Sequence, residues 1–139
     1  MTQIQVAITG FGILSPLGRG ASENSSALQA GRSGIVSTRP EWAEKKLRSQ
    51  VSGKVDAAPL REMFDRKVSR FMCESALLSA AAMKDAIGLS GLSGREIENP
   101  RTGIVIGTGA GSSIPDAIAL GDRVRERGGS KVGPYMVSV

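Results

Sequence analysis

The sequence predicts an α/β layered sheet, and three segments carry that prediction. Residues Ile4-Gln5-Val6-Ala7-Ile8-Thr9 read as a short strand near the start of the chain. Residues 66–88 carry an apolar pattern at helical spacing. Gly103-Ile104-Val105-Ile106-Gly107 is a continuous β-branched run, as in a strand covered on both faces. Strand, long connection, helix and strand, in that order, are the components of layered sheets.

Each element has local support. After the first strand, Gly10-Phe11-Gly12 turns the chain, and Ser15-Pro16-Leu17-Gly18 forms a second turn. Ser22 to Ala30 is predicted as a short helix, with Ser22 as N-cap, Ser25 at the capping-box position and Gly31 as the stop. Residues 31–66 are irregular, with one strand expected around Ser49–Val55. So long a connection is expected to drape over a larger body. In the 66–88 helix, Val68, Phe71, Met72, Ser75, Ser79, Ala82, Met83 and Ala86 share one face, and no charge falls between Ser75 and Met83. A helix apolar all round is expected to be buried all round. Ala80, Ala81 and Ala82 permit close backbone approach, and Gly88 or Gly91 ends the helix. Beyond the second strand, Pro115 and Asp116 suit the first turn of a helix that runs to about Arg127, where Gly128-Gly129 breaks it.

Composition bounds the chemistry. The 139 residues suit one domain, and such a chain buries roughly two-thirds of its unfolded surface. Hydrophobic residues are 40% and charged residues 22%, which fits a globular protein and not a disordered one. With no His and one Cys, the chain by itself builds no Ser-His-Asp triad, no His-assisted thiol, no disulfide and no Cys-based zinc site. No metal site is expected. The net charge of +5 points to an acidic partner. Aromatics at 4% are too scarce for stacking on single-stranded nucleic acid, so no nucleic-acid partner is expected. The start has no basic n-region or apolar h-region, and the uncharged stretch at about 75–83 is too short to span a bilayer. A cytoplasmic location and no membrane insertion are expected, consistent with a lone Cys.

Two glycine-rich segments and two basic groups invite functional readings. Thr9-Gly10-Phe11-Gly12-Ile13-Leu14-Ser15 follows a strand as a dinucleotide fingerprint does. Its third Gly position holds Ser15, no helix is predicted there, and no acidic residue closes a second strand, so a tight turn between layers is preferred. Gly107-Thr108-Gly109-Ala110-Gly111 lacks the Lys-Ser/Thr ending of a P-loop. It is open equally to ligand contact and to packing. Cys73, between Met72 and Glu74, reads as a small core residue in mid-helix, not as a nucleophile. Arg66, Lys67 and Arg70 cluster at a predicted helix start, where positive charge opposes the helix dipole. A placement that costs local stability favours a binding role, with Glu74 partly offsetting it through an i, i+4 pair to Arg70. Arg123, Arg125, Arg127 and Lys131 form the second basic group.

Taken together, these residues resemble the N-terminal part of a β-ketoacyl-acyl-carrier-protein synthase. The carrying segments are Val6-Ala7-Ile8-Thr9-Gly10-Phe11-Gly12-Ile13-Leu14-Ser15-Pro16-Leu17-Gly18 and Gly31-Arg32-Ser33-Gly34-Ile35. Asp65-Arg66-Lys67-Val68-Ser69-Arg70-Phe71-Met72 is the most specific and resembles the type I synthases. Arg101-Thr102-Gly103-Ile104-Val105-Ile106-Gly107-Thr108-Gly109 and Val132-Gly133-Pro134-Tyr135 continue the match in order. The resemblance implies a thiolase-like layered αβαβα fold, of which residues 1–139 are the N-terminal portion, and a homodimer.

It also implies a reaction of fatty-acid elongation. An active-site Cys takes the acyl chain as a thioester. Malonyl-acyl-carrier protein is decarboxylated, two His donors stabilise the enolate, and the carbanion attacks the thioester. The nucleophile and both His of that pattern find no counterpart in these residues, so no catalytic residue carries over and the segment alone is expected to be inactive. Docking of acyl carrier protein carries over to Arg66, Lys67, Arg70, Arg127 and Lys131. Part of the acyl pocket carries over to Gly109, Ala110 and Gly111, with Ala110 at a position of varying side-chain size. No metal or nucleotide cofactor is implied, since the acyl group arrives on the phosphopantetheine of its carrier protein. Two other readings stay open: a non-catalytic, chain-length-controlling partner of a synthase, and a nucleotide-binding α/β domain.

Overall fold

The computed structural model describes residues 5–37, 44, 48–109 and 114–131; for residues 114–116 and 131 it describes the backbone alone. The chain divides into two compact units. One comprises Met1–Asp56 and Ala81–Gly94, the other Ala57–Ala80 and Arg95–Val139.

In the first unit, β1 (Leu14–Ser15) and β2 (Gly18–Arg19) pair antiparallel across the Pro16-Leu17 turn, with Leu14 opposite Arg19 and Ser15 opposite Gly18. The turn read from Ser15-Pro16-Leu17-Gly18 is there. Helix α1 (Gly20–Gln29) follows at once. It starts two residues before the expected N-cap Ser22, and its N-cap Arg19 makes no side-chain cap bond. Glu23 supplies the missing acceptor, because its carboxylate takes the Arg19 backbone N–H at 2.8 Å. The helix stops as expected at Gly31, whose φ of +65° is open to glycine. Arg32 N–H reaches back to the Ala27 carbonyl at 2.9 Å.

Buried Asn24 ties this corner together. Its amide donates to the carbonyls of Gly18 at 3.0 Å and Gly20 at 2.7 Å, and the Ser15 hydroxyl donates to its Oδ1. Both amide protons and the carbonyl are thereby satisfied, as burial of an amide requires.

β3 (Ile35–Ser37) and β4 (Val51–Gly53) form a second antiparallel pair, with Val36 opposite Ser52. The strand expected near Ser49–Val55 is there, and its partner Ile35–Ser37 was not anticipated. Pro16 lies against Gly34 and Gly53: a Cβ at either glycine would stand 2.7–2.8 Å from the ring carbons.

The long helix α3 spans Glu74–Ser90 and contributes Ala81–Ser90 to the first unit. Its run of Ala, Leu and Met has high helix propensity. Gly91, at φ +72°, ends it, and Ser90 Oγ donates to the Ile87 carbonyl at 2.7 Å. Gly10 and Gly12 lie directly on its backbone. A Cβ at Gly12 would overlap the Ala82 carbonyl oxygen, and one at Gly10 the Ala86 carbonyl oxygen. Two residues of extended chain advance about 6.6 Å and four helical residues about 6 Å. Glycines two apart therefore meet alanines four apart. Gly10-Phe11-Gly12 is therefore extended chain laid on the helix and not the tight turn expected of it. The bidentate ion pair of Arg19 with Asp85, at 2.5 and 2.7 Å, joins the hairpin to the same helix.

In the second unit a 3-10 helix, Pro59–Met63, precedes α2 (Arg66–Ser69). This unit also holds the first residues of α3, residues 95–97 of the helix α4 (Gly94–Ile97), the longer α5 (Ile114–Arg127) and a 3-10 turn at Gly129–Lys131. The start of α5 at Ile114-Pro115 and its end at Gly128, φ +76°, match the expectation.

Four expectations are corrected. The single helix 66–88 is two helices, α2 and α3, separated by Arg70–Cys73. Leu77 and Ala81 are the buried residues of α3, whereas Met83 is exposed, so the helix is not buried on every face among the described residues. Within the described part of the first predicted strand, residues 5–9 form none; nor do residues 103–107, and Val6, Ile8 and Val105 stand exposed. A β-branched run signals that a segment suits burial in a sheet, but a strand exists only where a neighbour accepts its ladder bonds. Among the described residues helices are mixed with strands, and both sheets are two-stranded and antiparallel.

Candidate functional site

The basic turn Arg66-Lys67-Arg70 is the best-defined candidate. Asp65 opens α2 as N-cap, its carboxylate accepting the Lys67 N–H at 2.6 Å. The helix lasts four residues. Bonds from Phe71 N–H to the Val68 carbonyl, 3.0 Å, and from Met72 N–H to the Ser69 carbonyl, 3.2 Å, wind it down. Arg61 secures the stop: its guanidinium donates to the carbonyls of Ser69 at 2.5 Å and Met72 at 3.3 Å. Arg61 thus adds a second donor to the Ser69 carbonyl beside Met72 N–H and supplies one to the Met72 carbonyl at the helix end.

The three cations Arg66, Lys67 and Arg70 are all exposed. In so short a helix the first and last turns coincide, and Arg66 and Lys67 belong to the last turn as much as to the first. The helix dipole therefore does not oppose these charges as expected. The cluster's support is its exposure and its geometry. The expected Arg70–Glu74 pair is also absent among the described residues, because the break at Arg70–Cys73 removes the i, i+4 spacing. Arg70 instead lies over the Phe71 ring, its Cζ 4.3 Å from the centroid. Cys73 is not in mid-helix. It sits half-buried at the start of α3, its carbonyl taking the Leu77 N–H and its Sγ 3.1 Å from the Ser75 hydroxyl.

The second basic group lies on α5 and the turn after it, in the same compact unit. Arg125 pairs with Asp122 at 3.3 Å on an open surface, and Arg127 is exposed at the helix end. Lys131 closes the 3-10 turn, its side chain outside the described residues.

Gly109 is described and exposed, whereas Ala110 and Gly111 lie outside the described residues. A Cβ at Gly103, Gly107 or Gly109 would meet nothing within 4 Å among the described residues. Packing accounts for Gly10 and Gly12 but not for these. Among the described residues no group of three or more His, Cys, Asp or Glu could hold a metal ion, and no helix is long and apolar enough to cross a membrane.

The Asp85 carboxyl is held below its ordinary range, chiefly by hydrogen bonds from Arg19, and the Arg19 guanidinium is raised by the same bonds.

Three features escaped the sequence reading. The Arg61 clamp acts across 8 and 11 residues and the Asn24 hub across 9, spacings that carry no periodic signal. Stacking of Arg70 on its neighbour Phe71 is invisible while the segment is read as helix, where adjacent side chains diverge.

Residues 3–139 match the family described as β-ketoacyl synthase, N-terminal domain. The chain is 42% identical over 135 residues to 3-oxoacyl-[acyl-carrier-protein] synthase 1 of Haemophilus influenzae, covering 96% of this chain and 32% of that protein. It is 36% identical over 137 residues to the synthase 1 of Escherichia coli, covering 96% and 33%. It is 31% identical over 138 residues to 3-oxoacyl-[acyl-carrier-protein] synthase 2 of Vibrio cholerae, covering 99% and 33%. The chain thus spans about a third of the length of these relatives. With a family match over all but two of its residues, it belongs to the β-ketoacyl synthase N-terminal domain family.

Proposed function

We propose that this chain is the N-terminal part of a β-ketoacyl-acyl-carrier-protein synthase. The complete protein would elongate fatty acids by decarboxylative condensation of an acyl thioester with malonyl-acyl carrier protein. The observation that carries this reading is identity of 36–42% to two synthases over nearly the whole chain. The layered αβαβα fold, the homodimer and the cytoplasmic location belong to the same proposal.

The segment's own contribution is recognition. Arg66, Lys67 and Arg70 form an exposed basic turn, to which Arg127 and Lys131 add, for an acidic carrier protein. Gly109, Ala110 and Gly111 line part of the acyl pocket, where small residues leave room for the chain. The acyl group arrives on the carrier's phosphopantetheine, without a metal or nucleotide. With no His among the 139 residues, both enolate donors come from outside them.

The test has two arms in the intact protein carrying this chain. Acyl- and malonyl-carrier protein are supplied, and the 3-oxoacyl product is read by mass spectrometry. Failure to form it would leave a non-catalytic relative as the reading. Carrier binding is then measured for Lys67→Glu/Arg70→Glu. Two reversals at exposed positions should weaken it roughly 10-fold at low salt, and added salt should weaken the parent too. Equal binding by the double variant would reduce the basic turn to a solvated surface.

A further inference from the structure

We propose that Phe71 is a positioning residue for the basic turn: its ring holds the Arg70 guanidinium in place while leaving that charge available to a partner. This rests on the docking role assigned to Arg70 above.

In a continuing helix residues 70 and 71 would point about 100° apart and not meet. Here Arg70 keeps helical dihedrals, φ −63° and ψ −22°, the chain winds down through the tighter bonds of Phe71 and Met72, and Arg61 donates to the Ser69 and Met72 carbonyls. Arg70 Cζ then lies 4.3 Å from the Phe71 centroid, well inside the ~6 Å range of cation–π attraction. Phe71 is 36% exposed, so the ring is a surface platform and not a buried core residue.

The way Arg70 is held differs from that of two other arginines. Arg19 is held by Asp85 and Arg125 by Asp122, so a carboxylate offsets each charge. An aromatic quadrupole restrains a guanidinium without neutralising it. Arg70 is therefore partly ordered before binding and still fully attractive to a carboxylate. Ordering before contact lowers the entropic cost of binding. A planar guanidinium stacks where an ammonium does not, which gives Arg a reason to stand here in place of Lys.

The experiment compares Phe71→Leu, which keeps apolar bulk, with Phe71→Tyr, which keeps the π face, in the intact protein. Affinity for acyl carrier protein, urea stability and the NMR order parameter of the Arg70 Nε–H are read for each. Phe71→Leu should weaken binding about 2- to 5-fold, as expected for an exposed cation–π contact, with the Arg70 order parameter falling. Phe71→Tyr should restore both. In an Arg70→Ala background Phe71→Leu should have no further effect on binding. Should Phe71→Leu not fold, Phe71→Met is read in its place. Unchanged binding in the Leu variant, equal losses in Leu and Tyr, or a full loss in the Arg70→Ala background would overturn the proposal. If Arg70→Ala itself leaves carrier binding unchanged, the docking reading falls. The order parameter then still decides the stacking: a drop in Leu restored in Tyr sustains it, and no drop ends it.

Discussion

Replacing Gly12 with Ala tests the packing of the glycine loop on α3. The added Cβ would overlap the Ala82 carbonyl oxygen, with the Ala82 carbonyl carbon at 2.8 Å and its Cα at 3.0 Å. Ordinary carbon–carbon separation is about 3.5–4.0 Å, so loop and helix must part by roughly 1 Å. Overpacking of this kind costs about 1–3 kcal/mol. Against it, Gly→Ala restricts the unfolded chain, worth about 0.4–1 kcal/mol in the opposite sense. The net expectation is destabilisation by about 1–2 kcal/mol, read as a lower urea midpoint with unchanged slope in the intact protein.

Two companions sharpen the measurement. Gly88→Ala lies near the end of the same helix, where a Cβ meets nothing within 4 Å, and should stabilise by about 0.5–1 kcal/mol. Ala82→Gly should not rescue Gly12→Ala, because the atoms encountered are backbone. If Gly12→Ala is as stable as the parent, or if Ala82→Gly rescues it, the close-approach argument is wrong.

Other expectations follow from the same geometry. Asn24→Leu removes two donors and one acceptor from a buried corner and should cost about 1–3 kcal/mol in thermal or urea unfolding. A change under about 0.5 kcal/mol would show that water replaces those bonds. Asp85 has a folded pKa below its ordinary 3.8, so its pair with Arg19 stabilises at pH above that value and is lost as pH falls through the folded pKa. Both side chains are partly exposed, so Asp85→Asn should cost only about 0.2–1 kcal/mol at pH 7. The gap should close in strong acid, and a gap that persists there would mean the cost is not electrostatic. Finally, Ala110→Phe should selectively suppress long acyl donors in the intact synthase, measured as a chain-length profile. An unshifted profile would remove Ala110 from the pocket.

Local chemistry is legible in the sequence. Helix ends at Gly31 and Gly128, and at Gly88 or Gly91, follow from the left-handed conformation that glycine adopts without a Cβ clash; the structure selects Gly91. The Pro16-Leu17 turn and the helix ending at Arg127 are legible from neighbouring residues alone, whereas the contact of Gly10 and Gly12 with the long helix is not. The exposed cations Arg66, Lys67 and Arg70 were legible as a cluster because they lie within five positions. The family, too, was visible in the Asp65–Met72 segment and the glycine loops.

What escaped depended on partners distant in the chain. The break between α2 and α3 has no Gly or Pro to announce it; Arg61, 8 residues before Ser69, stabilises it by taking carbonyls that a helix would have used. At that break Arg70 lies over the Phe71 ring. The runs around Val6 and Val105 show the reverse case. Their composition states a preference for burial in a sheet, but among the described residues no strand pairs with them. Sequence alone determined which segments turn, cap and carry charge, because those depend on dihedral preference and side-chain chemistry within a few residues. Tertiary structure decided which carbonyls, carboxylates and rings meet, because a hydrogen bond or stack across many residues exists only once folding has brought both groups together.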